Sequence, residues 1–266
     1  MNRAGVSVVA TLTGAALLAA TSIAGAFEGP DGIQALPCRP TIACTADLVP
    51  PGVLELEAGG IYRSLAGGVK EETFPFLAKL TLAKWLQLQL GSNGYTREGA
   101  PSGTINYFDN LTVGGKFHLF DQEKYVPSVS FSFAVSVPSA AQAGYAEYDD
   151  VLLTAYVSKD IGPLHVDINA GLNRLGVNAA ALSQGWGSVV LSTSLPKGFG
   201  IGVENYYFSP ATPFASRDGG GLAAVSYNPV SWLVLDLGAD VGYVPATRDF
   251  SVFGGLTVVP FRLWKD

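Results

Sequence analysis

From residue 53 onward, apolar and polar positions alternate in short runs. Between Leu164 and Asn173, one face collects Leu164, Val166, Ile168, Ala170 and Leu172, and the other His165, Asp167, Asn169 and Asn173. Leu86, Leu88 and Leu90 alternate with Gln87 and Gln89. Val129, Phe131, Phe133, Val135 and Val137 alternate with Ser128, Ser130, Ser132 and Ser136. Leu233, Leu235, Leu237, Ala239 and Val241 alternate with Asp236 and Asp240. A period of two is that of a β-strand with one greasy and one wet face. The pattern predicts strands over 53–64, 73–82, 85–95, 109–120, 126–137, 148–158, 163–173, 186–194, 199–208, 219–227, 232–243 and 251–263. The last is apolar on both faces and has no readable phase.

The connections sort into two kinds. Every second one is tight: Ala83-Lys84, Asp121 to Tyr125, Lys159 to Gly162, Leu195 to Gly198, and Asn228 to Ser231. The others, such as 96–108 and 174–185, are longer and rich in Gly, Ser, Asn and Asp. Short turns on one side and long loops on the other, joining an even number of antiparallel strands, are the pattern of an outer-membrane barrel. The predicted fold is therefore all-β: a 12-stranded antiparallel transmembrane β-barrel over 53–266, with short periplasmic turns and longer extracellular loops.

Composition supports this architecture. Hydrophobic residues make up 48% of the chain and charged residues only 14%. A helical span needs about 20 consecutive apolar residues, and no such run follows the first 26 residues. Residues 1–26 read as a secretory signal, with Arg3 ahead of an apolar stretch from Val6 to Ile23 and a small-residue cleavage site at Ala24-Gly25-Ala26. An exported barrel belongs in the outer membrane of a Gram-negative bacterium, with outer-membrane lipid and small-molecule solutes as its partners. A net charge of −6 argues against nucleic acid. Residues 27–52, rich in Pro, read as an irregular N-terminal segment on the periplasmic side, which either hangs there or tucks into the lumen as a plug. Its two cysteines, Cys38 and Cys44, are expected to pair in the oxidising periplasm.

Phasing the strands assigns a lumen set: Glu55, Glu57, Lys79, Gln87, Gln89, Lys116, His118, His165, Asp167, Asn169, Glu204, Asp236 and Asp240. Acids outnumber bases there, which predicts a preference for cations or neutral polar solutes if a path is open. Aromatic residues gather at strand ends. Trp85, Phe199 and Trp232 each directly follow a tight turn, and Trp264 closes the last strand. They are expected in the headgroup layer.

Several segments resemble a known family. The hairpin Pro75 to Gly91, the turn Val157-Ser158-Lys159-Asp160-Ile161-Gly162 and the segment Asn228 to Tyr243 are similar to hairpins of outer-membrane β-barrel transporters named for meta-pathway phenol degradation. The likeness runs through 53–264. It departs at Phe108-Asp109, where the family has Gly-Asp, at Pro138-Ser139-Ala140, where it has Pro-Thr-Gly, and at the end, Phe261 to Asp266. The resemblance implies passive traffic of small molecules, hydrophobic or aromatic ones included.

Three functions are open to such a barrel: a passive channel, a filled structural or surface-contact barrel, and an outer-membrane hydrolase. The hydrolase would need His165 to meet Ser188 or Ser192 with Asp167 behind it. No Gly-x-Ser-x-Gly motif accompanies them. Two ligands, His165 and Asp167, are too few for a metal. The chain is accordingly read as a non-enzyme without a cofactor.

Overall fold

A computed structural model describes residues 32–137, 139, 150–176, 182–210, 218–244 and 248–265. The signal predicted at 1–26 lies outside the described residues, as do 27–31. The architecture is a closed antiparallel barrel of 12 strands with one extra strand. In chain order the strands are β1 (Val53–Leu65), β2 (Lys70–Ala83), β3 (Leu86–Ala100), β4 (Gly103–Phe108), β5 (Leu111–Phe120), β6 (Ser128–Val137) and β7 (Val151–Ile161). They continue as β8 (Leu164–Leu175), β9 (Leu182–Ser194), β10 (Phe199–Phe208), β11 (Asp218–Val230), β12 (Leu233–Gly242) and β13 (Arg248–Arg262). Each pairs with its sequence neighbour, except that β3 passes over β4 to reach β5. β13 then pairs with β1 from Val53↔Arg262 to Leu65↔Arg248, so the ring has no open edge within the wall.

The period-two pattern dictates which way each side chain points. Leu90, Phe133, Val203 and Leu237 are between 40% and 54% exposed on the outside, whereas Glu55, Lys79, Asn169 and Glu204 are 0–4% exposed within. A belt of exposed Leu, Val, Ile and Phe running around the whole wall is tolerable only against hydrocarbon. The last strand, unphased in the sequence, turns Ser251, Phe253, Thr257 and Val259 inward. Both of its faces are apolar because Phe253 and Val259 fill interior apolar clusters.

One expected loop is structured. Residues 96–108 form the upper half of β3, the turn at Pro101-Ser102, and β4, paired from Tyr95↔Phe108 to Ala100↔Gly103. The local reason is a bulge. Phe74 of β2 faces both Gly94 and Tyr95, and Gly94 takes φ +69°. A bulge bends and re-aims its strand. β4 and β5 follow one line along β3, interrupted at Asp109-Asn110, where Asp109 N–H donates to Gly94 O at 2.9 Å.

The N-terminal segment lies inside the ring. It enters at the short-turn end, where Ala35 N–H donates to Ser231 O at 2.9 Å and Gly52 N–H to Thr81 O at 2.8 Å. Ile33, Ala35 and Val49 pack with Val53, Trp232, Leu233, Val234 and Val259 in an interior apolar cluster. Trp232, expected in the headgroup layer, is therefore buried in the interior instead. It shares its strand parity with Asp236 and Asp240, both lumen residues, and that parity outweighs its position after a turn.

Candidate functional site

The lumen and the segment crossing it form one site. An irregular segment buried in a barrel brings backbone N–H groups that need acceptors. The wall supplies them as carboxylates. Glu55 accepts the Leu36 N–H at 2.7 Å, and Glu57 accepts those of Cys38 and Arg39 at 3.0 and 3.1 Å. Lys79 from β2 stands between them, ion-paired to Glu55 and, at 2.5 Å, to Glu57, and it donates to Leu36 O at 2.7 Å. Across the lumen on β10, Glu204 accepts the N–H groups of Ile42 and Ala43, both at 2.8 Å, and the Ser188 hydroxyl. Asn169 on β8 makes a reciprocal pair with the Cys44 backbone, at 2.7 and 2.9 Å.

The segment then descends along β7, β6 and β5. Ala46 N–H donates to Ser158 Oγ at 2.6 Å, and Ser130 donates to Ala46 O at 2.5 Å. Lys116 donates to Thr45 O, and Ser128 to Asp47 at 2.5 Å. Between the two walls Cys38 and Cys44 are joined by a disulfide, closing a covalent loop in mid-lumen. Arg39, beside that loop, lays its guanidinium over Gly59 and Gly255 and pairs with Asp236 on β12 at 3.4 Å. A Cβ at either glycine would lie within 2.6 Å of the guanidinium.

The remaining lumen residues pair among themselves. Gln87 donates to Thr81 at 3.1 Å, and Gln89 to Gln87 at 3.0 Å. Asp240 accepts from Tyr206 and Ser251, both at 2.6 Å. His118 reaches Ser130 at 3.0 Å and Asp121 at 2.9 Å. His165 has Asp160 at 2.6 Å on Nδ1 and Asp167 at 3.1 Å on Nε2. With both nitrogens facing carboxylates, His165 has none left to take a proton from Ser188 or Ser192, so the hydrolase geometry is not assembled. Among the described residues no three His, Cys, Asp or Glu side chains are grouped to hold a metal.

Of the expected interface aromatics, Trp85 and Phe199 face outward at the short-turn end. Trp85 stacks on Phe117 at 6.4 Å and Phe199 on Tyr227 at 4.7 Å. Trp264 is also exposed. Sequence reasoning missed Arg39 and the serines of β6 and β7 as parts of the site. For the β6 serines the signal was their own series on the wet face of that strand.

Cavities remain beside the segment and toward the loops. One of about 700 Å³ lies between the N-terminal segment and strands β8 to β12, and reaches the turn residues Gly162, Pro163, Leu195 and Gly198. Another, about 410 Å³, lies toward the long-loop end against Ser92, Asp109, Ser136 and Asp150.

No protein-family model matches the chain, and no curated protein matches it. Among solved structures it is similar to the COG4313 outer membrane channel from Pseudomonas putida F1, with 12% identity over 86% of this chain and 98% of that one, at a TM-score of 0.61. The KdgM porin also matches, at 12% identity, 77% of this chain, 98% of that one and a TM-score of 0.52. A KdgM porin in complex with disordered oligogalacturonate gives a TM-score of 0.51 at the same identity and coverage. The wall, its closure and these neighbours define the class: an outer-membrane-type β-barrel.

Proposed function

We propose that the chain is an outer-membrane channel of a Gram-negative bacterium for passive transport of small molecules, narrowed by its own N-terminal segment. The observation that carries this reading is the polar inner wall, with a cavity of about 700 Å³ left beside the segment at the short-turn end. The fold shared with a channel and a porin supports it. The resemblance to transporters named for phenol degradation supports solutes that include hydrophobic or aromatic ones. The acidic surplus of the lumen takes on a different meaning from the one its count implied. Glu55, Glu57 and Glu204 serve the segment's backbone, and Asp236 serves Arg39.

The same bonds favour a second reading, a filled barrel that works as a structural or surface-contact element. Planar-bilayer recording of the full mature chain separates the two. Steady conductance supports the channel. Silence from a sample with intact barrel mobility on unheated gels supports the filled barrel. Removing a tether should also enlarge the passage, so Arg39→Ala is expected to raise conductance above that of the unmodified chain.

A further inference from the structure

The bonds that hold the N-terminal segment run to β1, β2, β5, β6, β7, β8, β10 and β12. Beside the larger cavity the wall changes character. Its inward positions there include Ser192, Ser194, Gly200, Gly202, Ala224 and Ser226, all small, with the larger Val190 next along β9. The segment lines the cavity with Leu36, Pro37 and Pro40, and also with Gln34, Thr41 and Thr45. On the short-turn side of the Glu204 tether a narrow strip of wall thus stands back from the segment, and the cavity mixes hydroxyls with apolar groups. The ionisable groups at the cavity already have partners. Arg39 faces Asp236, and the His165 ring stands between Asp160 and Asp167.

We propose that solutes enter at the short-turn end between the N-terminal segment and this strip of β9, β10 and β11, and that this entry selects uncharged small molecules bearing both hydroxyl and apolar groups. The inference rests on the channel reading and names its route and its solute class. A charged solute would shed hydration on entry and find its counter-charges already engaged, which is costly. An uncharged solute exchanges water for the hydroxyls of Ser192, Ser194 and Ser226 and covers the prolines with its apolar side.

Gly202 is the point to test. A Cβ there would meet Ser192 Cβ at 3.5 Å, an ordinary contact, so the backbone accepts a side chain that then projects into the passage. Full mature protein is reconstituted in liposomes, and uptake of glucose, gluconate and glucosamine is measured. Glucose is expected to enter fastest of the three. Gly202→Trp is expected to slow it by roughly tenfold, because a bulky ring closes a narrow route. Val203→Trp, on the lipid side of the same strand, should leave it unchanged. Unaltered glucose uptake in Gly202→Trp overturns the route. Faster entry of gluconate or glucosamine overturns the solute class. A folded, unmodified chain that admits none of the three overturns the channel itself, a result distinct from either. If Gly202→Trp does not fold, Ser192→Cys labelled with a bulky maleimide after folding takes its place and must slow glucose in the same way.

Discussion

Lys79 concentrates much of the chemistry of the lumen in one side chain. It is 3% exposed, paired to Glu55 and Glu57, and bonded to the carbonyl of Leu36. Removing one member of such a group leaves the others charged and unanswered, at about 3–5 kcal/mol. Lys79→Met is expected to destabilise the barrel by that order, read as a lower urea midpoint for loss of folded-barrel gel mobility. Glu204→Ala should act differently. It strips acceptors from Ile42 and Ala43 at about 1–3 kcal/mol, and the measurement is faster hydrogen exchange at those two amides while the wall stays protected. The orientation of residues was widely legible from parity alone. Glu55, Asn169, Glu204 and Asp236 follow from counting in twos. What parity could not reveal was their use, because Glu55 and Glu204 accept from backbone N–H groups of another segment, and a backbone N–H has no residue type. Trp232 shows the reverse error: its neighbourhood to a turn was read, and its parity was not.

The strands form because β-branched and aromatic residues alternate with small polar ones between turn residues, and most of the wall strands could be phased that way, though not 186–194, 219–227 or the last. The upper β3–β4 hairpin could not be recognised from composition. Its glycines, Pro101 and Ser102 imitate a loop, and the bulge at Gly94 shifts the phase partway up β3. The N-terminal segment is another element whose state depends on contacts far away in the chain, from Glu55 to Asp236. Its disulfide closes a short loop, Cys38 to Cys44. In the chain-entropy account such a loop contributes below about 3 kcal/mol. Replacing both cysteines with serine should leave the barrel's urea midpoint nearly unchanged and raise hydrogen exchange between Leu36 and Asp47. An equal loss of stability in the wall would show that the loop supports the barrel rather than the segment alone.

The molecule as a whole separates three environments with one sheet: hydrocarbon outside, a polar strap within, and water at both mouths. Its closure depends on the pairing of β1 with β13, the two ends of the wall. The strap stands directly ahead of β1, yet its anchors on β5, β6, β7, β8, β10 and β12 all come later in the chain. Biogenesis must respect that order. The strap's docking points do not exist until nearly every hairpin has been laid down, so the amide of Cys44 should gain protection with, or after, seam amides such as that of Ile61. Time-resolved exchange during insertion into vesicles would read the sequence of events, and early protection of Cys44 would contradict it. The strap, which precedes in the chain every strand it docks on, is then the last element to be fixed in place, and whatever zips the seam shut also decides whether the doorway is furnished from inside.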